Sequence, residues 1–331
     1  MEQRRLGTDG PEVSALGIGC LGMSGRYGAV DEAESLATLH AALDNGVTLL
    51  DTGDFYGVGS NEHLVGRALR SRRREQITVS VKFGVLCEPD GKWGRLDTRP
   101  EMVRNSLAYT LRRLGTDYVD IYRPARCDPD VPVEETVGAM SELVSEGYVR
   151  FVGLSEVDAE TLRRAHATHP VSDLQTEYSI LSRDIEDNGL LELCGQLGVG
   201  ITAYGVLSRG LLSGRRPEDR DGDVRGAFPR FQGDNLEHNL ALVRRLRAVA
   251  EAKGVTVPQL AVAWVLARGA DIVPVVGARS RTQLAESLGA GGIGLTAEDL
   301  AAVERAVPAG SAAGDRYPRR PAPAPSADDK T

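Results

Sequence analysis

Three side chains in the first quarter of the chain have the types and spacing to move a proton. Asp51 follows the apolar run VTLL, Tyr56 lies five residues on, and Lys82 ends the run TVSV. A phenol is a poor acid at neutral pH, with an unperturbed pKa of about 10. An adjacent ammonium favours the ionised phenol and so makes it a better proton donor. A carboxylate beside the ammonium keeps that ammonium charged and oriented. Together the three can protonate an oxygen on which negative charge is building. Each alone has a plainer role: Asp caps a turn, Tyr sits in a core or at its rim, Lys is solvated. The position of Lys82 weighs against those, because a Lys closing a buried strand is rare unless paired.

The elements that must position these groups can be followed along the chain. Strand-like apolar runs occupy 16–20, 47–51, 77–82, 118–122, 149–154, 173–177, 199–203 and 272–276. Most are continuously apolar, as strands covered on both faces should be. Helical periodicity lies between them, near 32–45, 61–70, 99–114, 133–146, 158–167, 187–197, 236–253 and 282–289, with an extra helix at 257–268 opened by Pro258. Glycines 46, 115, 147, 198 and 254 stand where helix C-caps belong. Eight βα units either close into a barrel or open into a doubly wound sheet. The open sheet would carry GxGxxG after its first strand. Here the turn is GCLGMSG (19–25), and no helix opens until about Asp31. The expected fold is therefore a (β/α)8 TIM barrel.

Outside the barrel, residues 2–15 predict a β-hairpin turning at Thr8-Asp9-Gly10, and Thr296 to Asp299 resembles a capping box opening a C-terminal extra helix. The Arg-, Gly- and Asp-rich stretch 208–235 is long for a βα loop, which predicts a lid. Residues 1–310 form one expected domain, and the Ala/Pro-rich residues 311–331 an expected disordered tail. A length of 331 residues suits one α/β barrel although simple division by about 150 gives two domains.

Composition narrows the function. The 39 basic against 47 acidic residues give a formal net charge of −8, which argues against nucleic acid and anionic membranes as partners. No apolar run approaches the roughly 20 residues that span a bilayer, and no apolar segment follows the charged N-terminus as in a secretory signal. Cys20, Cys87, Cys127 and Cys194 are scattered, with no CxxC and no metal-ligand spacing. A cytoplasmic enzyme with free thiols and no metal is expected, as a monomer or weak homo-oligomer. Cys20, at the end of the first strand, lines the expected pocket but lacks a visible His to activate it. The cluster Arg70, Arg72, Arg73 and Arg74 suits a solvated helix end.

With these residues in view, the sequence is similar to the aldo-keto reductases. The match runs through DTGDFYG (51–57), NEHLVG (61–66), VKFG (81–84), LRRLGTDYVDIY (111–122), VGLS (152–155), QTEYSILSR (175–183), AYGVLSRGLLSG (203–214) and VPVVGARSRTQLAES (273–287), colinear over about residues 3–307. The resemblance implies a (β/α)8 barrel, NADPH/NADP+ as cofactor, and reversible reduction of a small-molecule aldehyde or ketone. Asp51, Tyr56 and Lys82 then resemble three members of the family's catalytic tetrad. Ser155 and Gln175 resemble the pair that grips the nicotinamide carboxamide, and Tyr204 the ring that stacks on it. Leu207 and Arg209 fall in the loop over the pyrophosphate. Gly277, Arg279, Ser280, Gln283 and Glu286 resemble the adenosine-end site, and Gly19 and Cys20 border the cofactor. Arg279 beside Ser280, just ahead of a helix, suits a 2′-phosphate through charge-assisted bonds and the helix dipole, which favours NADPH over NADH.

Two departures matter. The family's fourth tetrad member is a His after the fourth strand, and Ala125 occupies that position; His40, His63, His166, His169 and His238 fall elsewhere. The pocket is enlarged, with Arg123 and Arg126 as candidate donors in place of the imidazole, although an arginine is a much weaker proton source. The Asn that usually follows the carboxamide Ser is Glu156. Reduction of a conjugated C=C or C=N bond, and a cofactor-sensing binding protein with little turnover, are the alternative readings.

Overall fold

Runs of Val, Leu and Ile buried on both faces form a closed barrel in the computed structural model, which describes residues 1–214 and 223–318. In chain order the strands are β1 (Gln3–Arg5), β2 (Glu12–Ser14), β3 (Gly17–Gly19), β4 (Leu49–Gly53), β5 (Thr78–Phe83), β6 (Val85–Cys87), β7 (Trp93–Leu96), β8 (Val119–Pro124), β9 (Val149–Ser155), β10 (Val171–Glu177), β11 (Gly200–Tyr204) and β12 (Ile272–Gly277). The parallel barrel runs β3-β4-β5-β8-β9-β10-β11-β12 and closes from β12 back onto β3. All eight expected barrel strands are present, each bound lying within about two residues of its sequence position.

The helices α1 (Glu32–Asp44), α2 (Ser60–Leu69), α3 (Pro100–Leu114), α4 (Val133–Ser145), α5 (Ala159–Thr168), α6 (Asp184–Asp187), α7 (Leu190–Leu197), α8 (Gly233–Lys253), α9 (Val257–Leu266), α10 (Arg281–Leu288) and α11 (Ala297–Ala306) connect the strands or follow the last of them. Capping chemistry sets several starts. Asp31 accepts from Ala33 and Glu34 amides ahead of α1, and capping boxes open α9 at Thr256 and α11 at Thr296. No helix among the described residues is long and apolar enough to cross a membrane.

The barrel has one sealed end. The antiparallel hairpin β1–β2 buries Leu6 and Val13 against Leu49, Ile121, Val273 and Val275 inside the strand ends. Arg4 fastens it by donating to the carbonyls of Leu266, Gly269 and Ile272. The C-terminal ends of the strands therefore face the open mouth, where βα loops build sites.

Two segments depart from the sequence expectation. After β5, where the sequence reading places no element, β6 and β7 pair as a second antiparallel hairpin. Residues 311–318, the first part of the expected disordered tail, pack over the mouth. Tyr317 and Arg316 find side-chain hydrogen-bond partners there, and the Ala313 backbone pairs with the Asn239 side chain. In the expected lid, short helical turns span Ser208–Ser213, Val224–Ala227 and Pro229–Phe231. Its middle, 215–222, and the tail from 319 lie outside the described residues.

Candidate active site

A two-residue period along each strand sends alternate side chains into the barrel. On β4 these are Leu49 and then Asp51; on β5, Ser80 and then Lys82; on β8, Ile121 and then Arg123. The apolar members meet the hairpin plug, and the polar members meet one another nearer the mouth. Lys82 Nζ lies 2.5 Å from Asp51 Oδ2, with both side chains about 5–6 % exposed. Ser80 Oγ and Gln175 Nε2 each donate to Asp51 Oδ1 at 2.9 Å. Burial alone would raise the Asp51 carboxyl. The charges of Lys82 and Arg123, with the hydrogen bonds from Lys82 and Gln175, outweigh it and hold Asp51 below the ordinary carboxylate range. Burial likewise pulls Lys82 down, opposed by Asp51.

Tyr56 follows β4 in a turn of unusual backbone. Gly57, Val58 and Gly59 have φ of 56°, 53° and 89°, and Val58 is a β-branched residue where glycine belongs. Asn61, at the start of α2, anchors this turn by accepting from Thr52 Oγ1 and donating to the Cys20 carbonyl. The Tyr56 ring is buried, its centre 5.3 Å from Lys82 Nζ. Burial first, and then the charge of Asp51, push the Tyr56 phenol well above its ordinary value. The Lys82 charge is taken up by Asp51, so Tyr56 stays a neutral phenol with its proton available. Next to it, Asp54 Oδ1 and Glu62 Oε1 are buried without hydrogen-bond partners among the described residues. Burial and then the Glu62 charge push Asp54 up to about 7.

Arg123 is corrected from pocket donor to internal support. Its side chain is fully buried, donating to Thr202 Oγ1 and Ser80 Oγ at 2.9 Å and pairing with Asp173 at 3.0 Å. Thr202 Oγ1 in turn donates to Asp173 Oδ2. Gly153 makes the room: a Cβ there would stand 2.7 Å from Asp173 Oδ1 and 3.3 Å from Arg123 Nε. Sequence reasoning missed Ser80, Asp173 and Thr202, which carry the network under Asp51. Their signal was the strand period shared with Lys82, Gln175 and Tyr204. Cys20 is buried and its thiol pushed up to about 12, mainly by burial; it is inert as a nucleophile.

Ala125 is buried in an apolar cluster with Phe55 and Tyr56, edged by Leu21, Val85 and Cys87. No imidazole reaches that place among the described residues. Arg126 donates to its neighbour's carbonyl and to the Tyr317 hydroxyl at 3.3 Å.

The remaining expected positions fall round the same mouth. Register pairs Gly19 with Asp51 and with Gly277, Ser155 with Gln175, and Glu177 with Tyr204. The Tyr204 hydroxyl donates to Glu156 Oε1 at 2.8 Å and meets the Tyr317 hydroxyl at 2.7 Å. Glu156 has φ 53°, a conformation that Asn tolerates better than Glu; its longer side chain also accepts from the Glu177 amide and from Arg316. Leu207 precedes a turn in which Ser208 and Arg209 both have positive φ. Arg209 pairs with Glu177 at 3.2 Å and lies over the Phe228 and Tyr317 rings. At the far side, Ser280 caps α10 by accepting from the Gln283 amide, and Gln283 Oε1 accepts from the Arg279 amide. Arg279 Nη1 donates to the Tyr27 carbonyl, and Glu286 stands one turn further along α10. Gly277 faces open space beside Gly19.

Comparison with known proteins places the chain in a family. The aldo/keto reductase family profile matches residues 15–308. A probable aldo-keto reductase from Glycine max is 41% identical over 318 residues, 95% of this chain and 91% of that protein. A glycerol dehydrogenase structure from Gluconobacter oxydans superposes with a TM-score of 0.82 at 30% identity, covering 92% of this chain and 94% of that one. A Bacillus halodurans aldo-keto reductase in its holo form gives 0.76 at 29% identity over 93% and 96%. Fold, mouth geometry and sequence agree that this chain is a member of the aldo/keto reductase family, oxidoreductases that use nicotinamide cofactors on small-molecule carbonyls.

Proposed function

We propose that the protein is an NADPH-dependent reductase of aldehydes or ketones in which Tyr56 delivers the proton. The observation that carries this reading is the buried Lys82–Asp51 pair set against the Tyr56 ring at the barrel mouth. Bound NADPH supplies the hydride. Tyr56, held as a neutral phenol, gives its proton to the carbonyl oxygen as charge develops there, and the Lys82 ammonium stabilises the phenolate left behind. Asp51, fixed by Ser80 and Gln175, keeps Lys82 charged and in place.

The residues round the mouth fit the cofactor's chemistry. Tyr204 offers a ring at the end of β11, and Ser155 and Gln175 offer short polar side chains between it and Asp51. Arg279, Ser280 and Gln283 at the start of α10 suit a phosphate-bearing adenosine end, which favours NADPH over NADH. Gly277, which faces open space beside Gly19, leaves the backbone between the two ends open to close approach. A cytoplasmic setting suits the four free cysteines.

One observation favours a second reading. The Ala125 site is apolar, so no side chain there orients a carbonyl oxygen; turnover of conjugated C=C or C=N substrates without turnover of carbonyls would be its signature. The first reading is tested by replacing Tyr56 with Phe, which should abolish carbonyl turnover while NADPH still binds.

A further inference from the structure

Near Tyr56 stands a cation without an internal partner. Arg26 lies in the loop after β3, between Gly25 (φ 79°) and Gly28 (φ 97°). The backbone here is fixed: the Arg26 carbonyl accepts from the Val224 amide, Tyr27 bridges to Asp223, and the Tyr27 carbonyl accepts from Arg279. The Arg26 guanidinium sits on the Trp93 ring, 4.0 Å from its centre. Trp93 projects from β7, is 37% exposed, and lies nearly parallel to the Tyr56 ring at 6.4 Å and edge-on to Phe55 at 4.9 Å. Those separations of 4.0 and 6.4 Å keep the guanidinium within about 10 Å of the Tyr56 ring.

Other arginines at the mouth are spoken for. Arg123 pairs with Asp173, Arg209 with Glu177, Arg225 with Asp223 and Arg316 with Glu156. Arg26 makes no ion pair and no side-chain hydrogen bond among the described residues. Its half-burial disfavours its charge, and the Trp93 face offsets only part of that cost. An anion would offset the rest, and the guanidinium fork matches a carboxylate in two parallel hydrogen bonds.

We propose that Arg26, backed by Trp93, determines substrate specificity, and that the preferred substrate is a carbonyl compound carrying a carboxylate within about 10 Å of the reacting carbonyl, a distance set by the cation–ring and ring–ring separations. The proposal rests on the reductase reading above. It also gives the hairpin β6–β7 a role, because that hairpin carries Trp93 to the loop of Arg26.

The test compares 4-carboxybenzaldehyde with its neutral amide, 4-formylbenzamide, in the wild-type enzyme and in Arg26→Ala, Arg26→Lys and Trp93→Leu. Wild-type kcat/KM should favour the carboxylate about tenfold, chiefly through KM. Arg26→Ala should bring the ratio toward one and Arg26→Lys should keep part of it, with NADPH affinity within twofold of wild type. A second readout does not need turnover: titration of 4-carboxybenzyl alcohol against Trp93 fluorescence, with a saturable change in wild type that Arg26→Ala loses. Equal wild-type rates on both aldehydes, unmoved by Arg26→Ala, would overturn the proposal and leave the reductase reading standing. Weaker NADPH binding in Arg26→Ala, with both substrates affected alike, would make Arg26 a cofactor contact and also overturn it. Saturable carboxylate binding lost in Arg26→Ala, without turnover of either aldehyde, would uphold the anion site and overturn the reductase reading.

Discussion

Lys82 Nζ and Asp51 Oδ2 are 2.5 Å apart in the barrel interior, and the Tyr56 ring lies over the ammonium at 5.3 Å. This arrangement sets when Lys82 can act on the phenol. Asp51 takes up the ammonium charge at rest, so the phenol is not acidified beforehand. In the proposed reaction the ammonium acts on Tyr56 when the proton leaves and a phenolate forms, the moment at which a preorganised charge is most effective.

The support below that pair is predicted to be structural. Replacing Arg123 with Met leaves Asp173 buried and unpaired, which should cost about 3–5 kcal/mol of stability, measured by urea unfolding. A pocket-lining role for Arg123 would instead give weaker substrate binding with little loss of stability.

Asp54 gives a pH dependence with a definite sign. Its carboxyl is raised to about 7 in the folded chain, above the unfolded value, so the stability it contributes is present below about pH 4 and is lost as pH rises through about 7. Asp54→Asn should remove this slope and narrow the stability difference between pH 5 and pH 8 by on the order of 2 kcal/mol. Denaturant midpoints at the two pH values check it; an unchanged difference would mean that Asp54 ionises normally.

Arg279 precedes the capped start of α10. Arg279→Ala is predicted to weaken NADPH by about tenfold or more and NADH far less, as followed by cofactor fluorescence. Equal losses would remove the 2′-phosphate assignment.

Glu156 holds Arg316 by two hydrogen bonds of 3.2–3.3 Å and Tyr204 by one of 2.8 Å. Glu156→Asn suits the positive φ better but is too short for the same reach to Arg316. Trypsin should therefore cut the Arg316–Tyr317 bond several-fold faster in the variant, read by mass spectrometry of timed digests. An unchanged rate would show that the segment is held without Glu156, by Tyr317 and by the contacts of Asp184, Arg230 and Asn239.

Much of this was legible in the sequence for physical reasons. The eight barrel strands are buried on both faces, so each announces itself as an apolar run. Asp51, Tyr56 and Lys82 stand out because a strand end is an unusual place for a Lys. Arg123 was misplaced because strand β8 continues to Pro124; its parity with Ile121 points it inward, a signal that the apolar run alone does not show. The hairpin carrying Trp93 is too short for periodicity, although Asp90-Gly91 between its strands is a turn signal. The tail composition hid Tyr317 and Arg316, whose ordering depends on Tyr204, Arg126 and Glu156 more than a hundred residues away in sequence. Such long-range partners leave no local pattern.

The most direct test of proton delivery by Tyr56 is the initial rate of NADPH consumption on a panel of aldehydes and ketones, for wild type and Tyr56→Phe, with NADPH affinity measured on both. The account predicts wild-type turnover, a loss of about 10²–10⁴-fold in the variant, and NADPH dissociation constants within twofold of each other. Carbonyl turnover at the wild-type rate in Tyr56→Phe would contradict it.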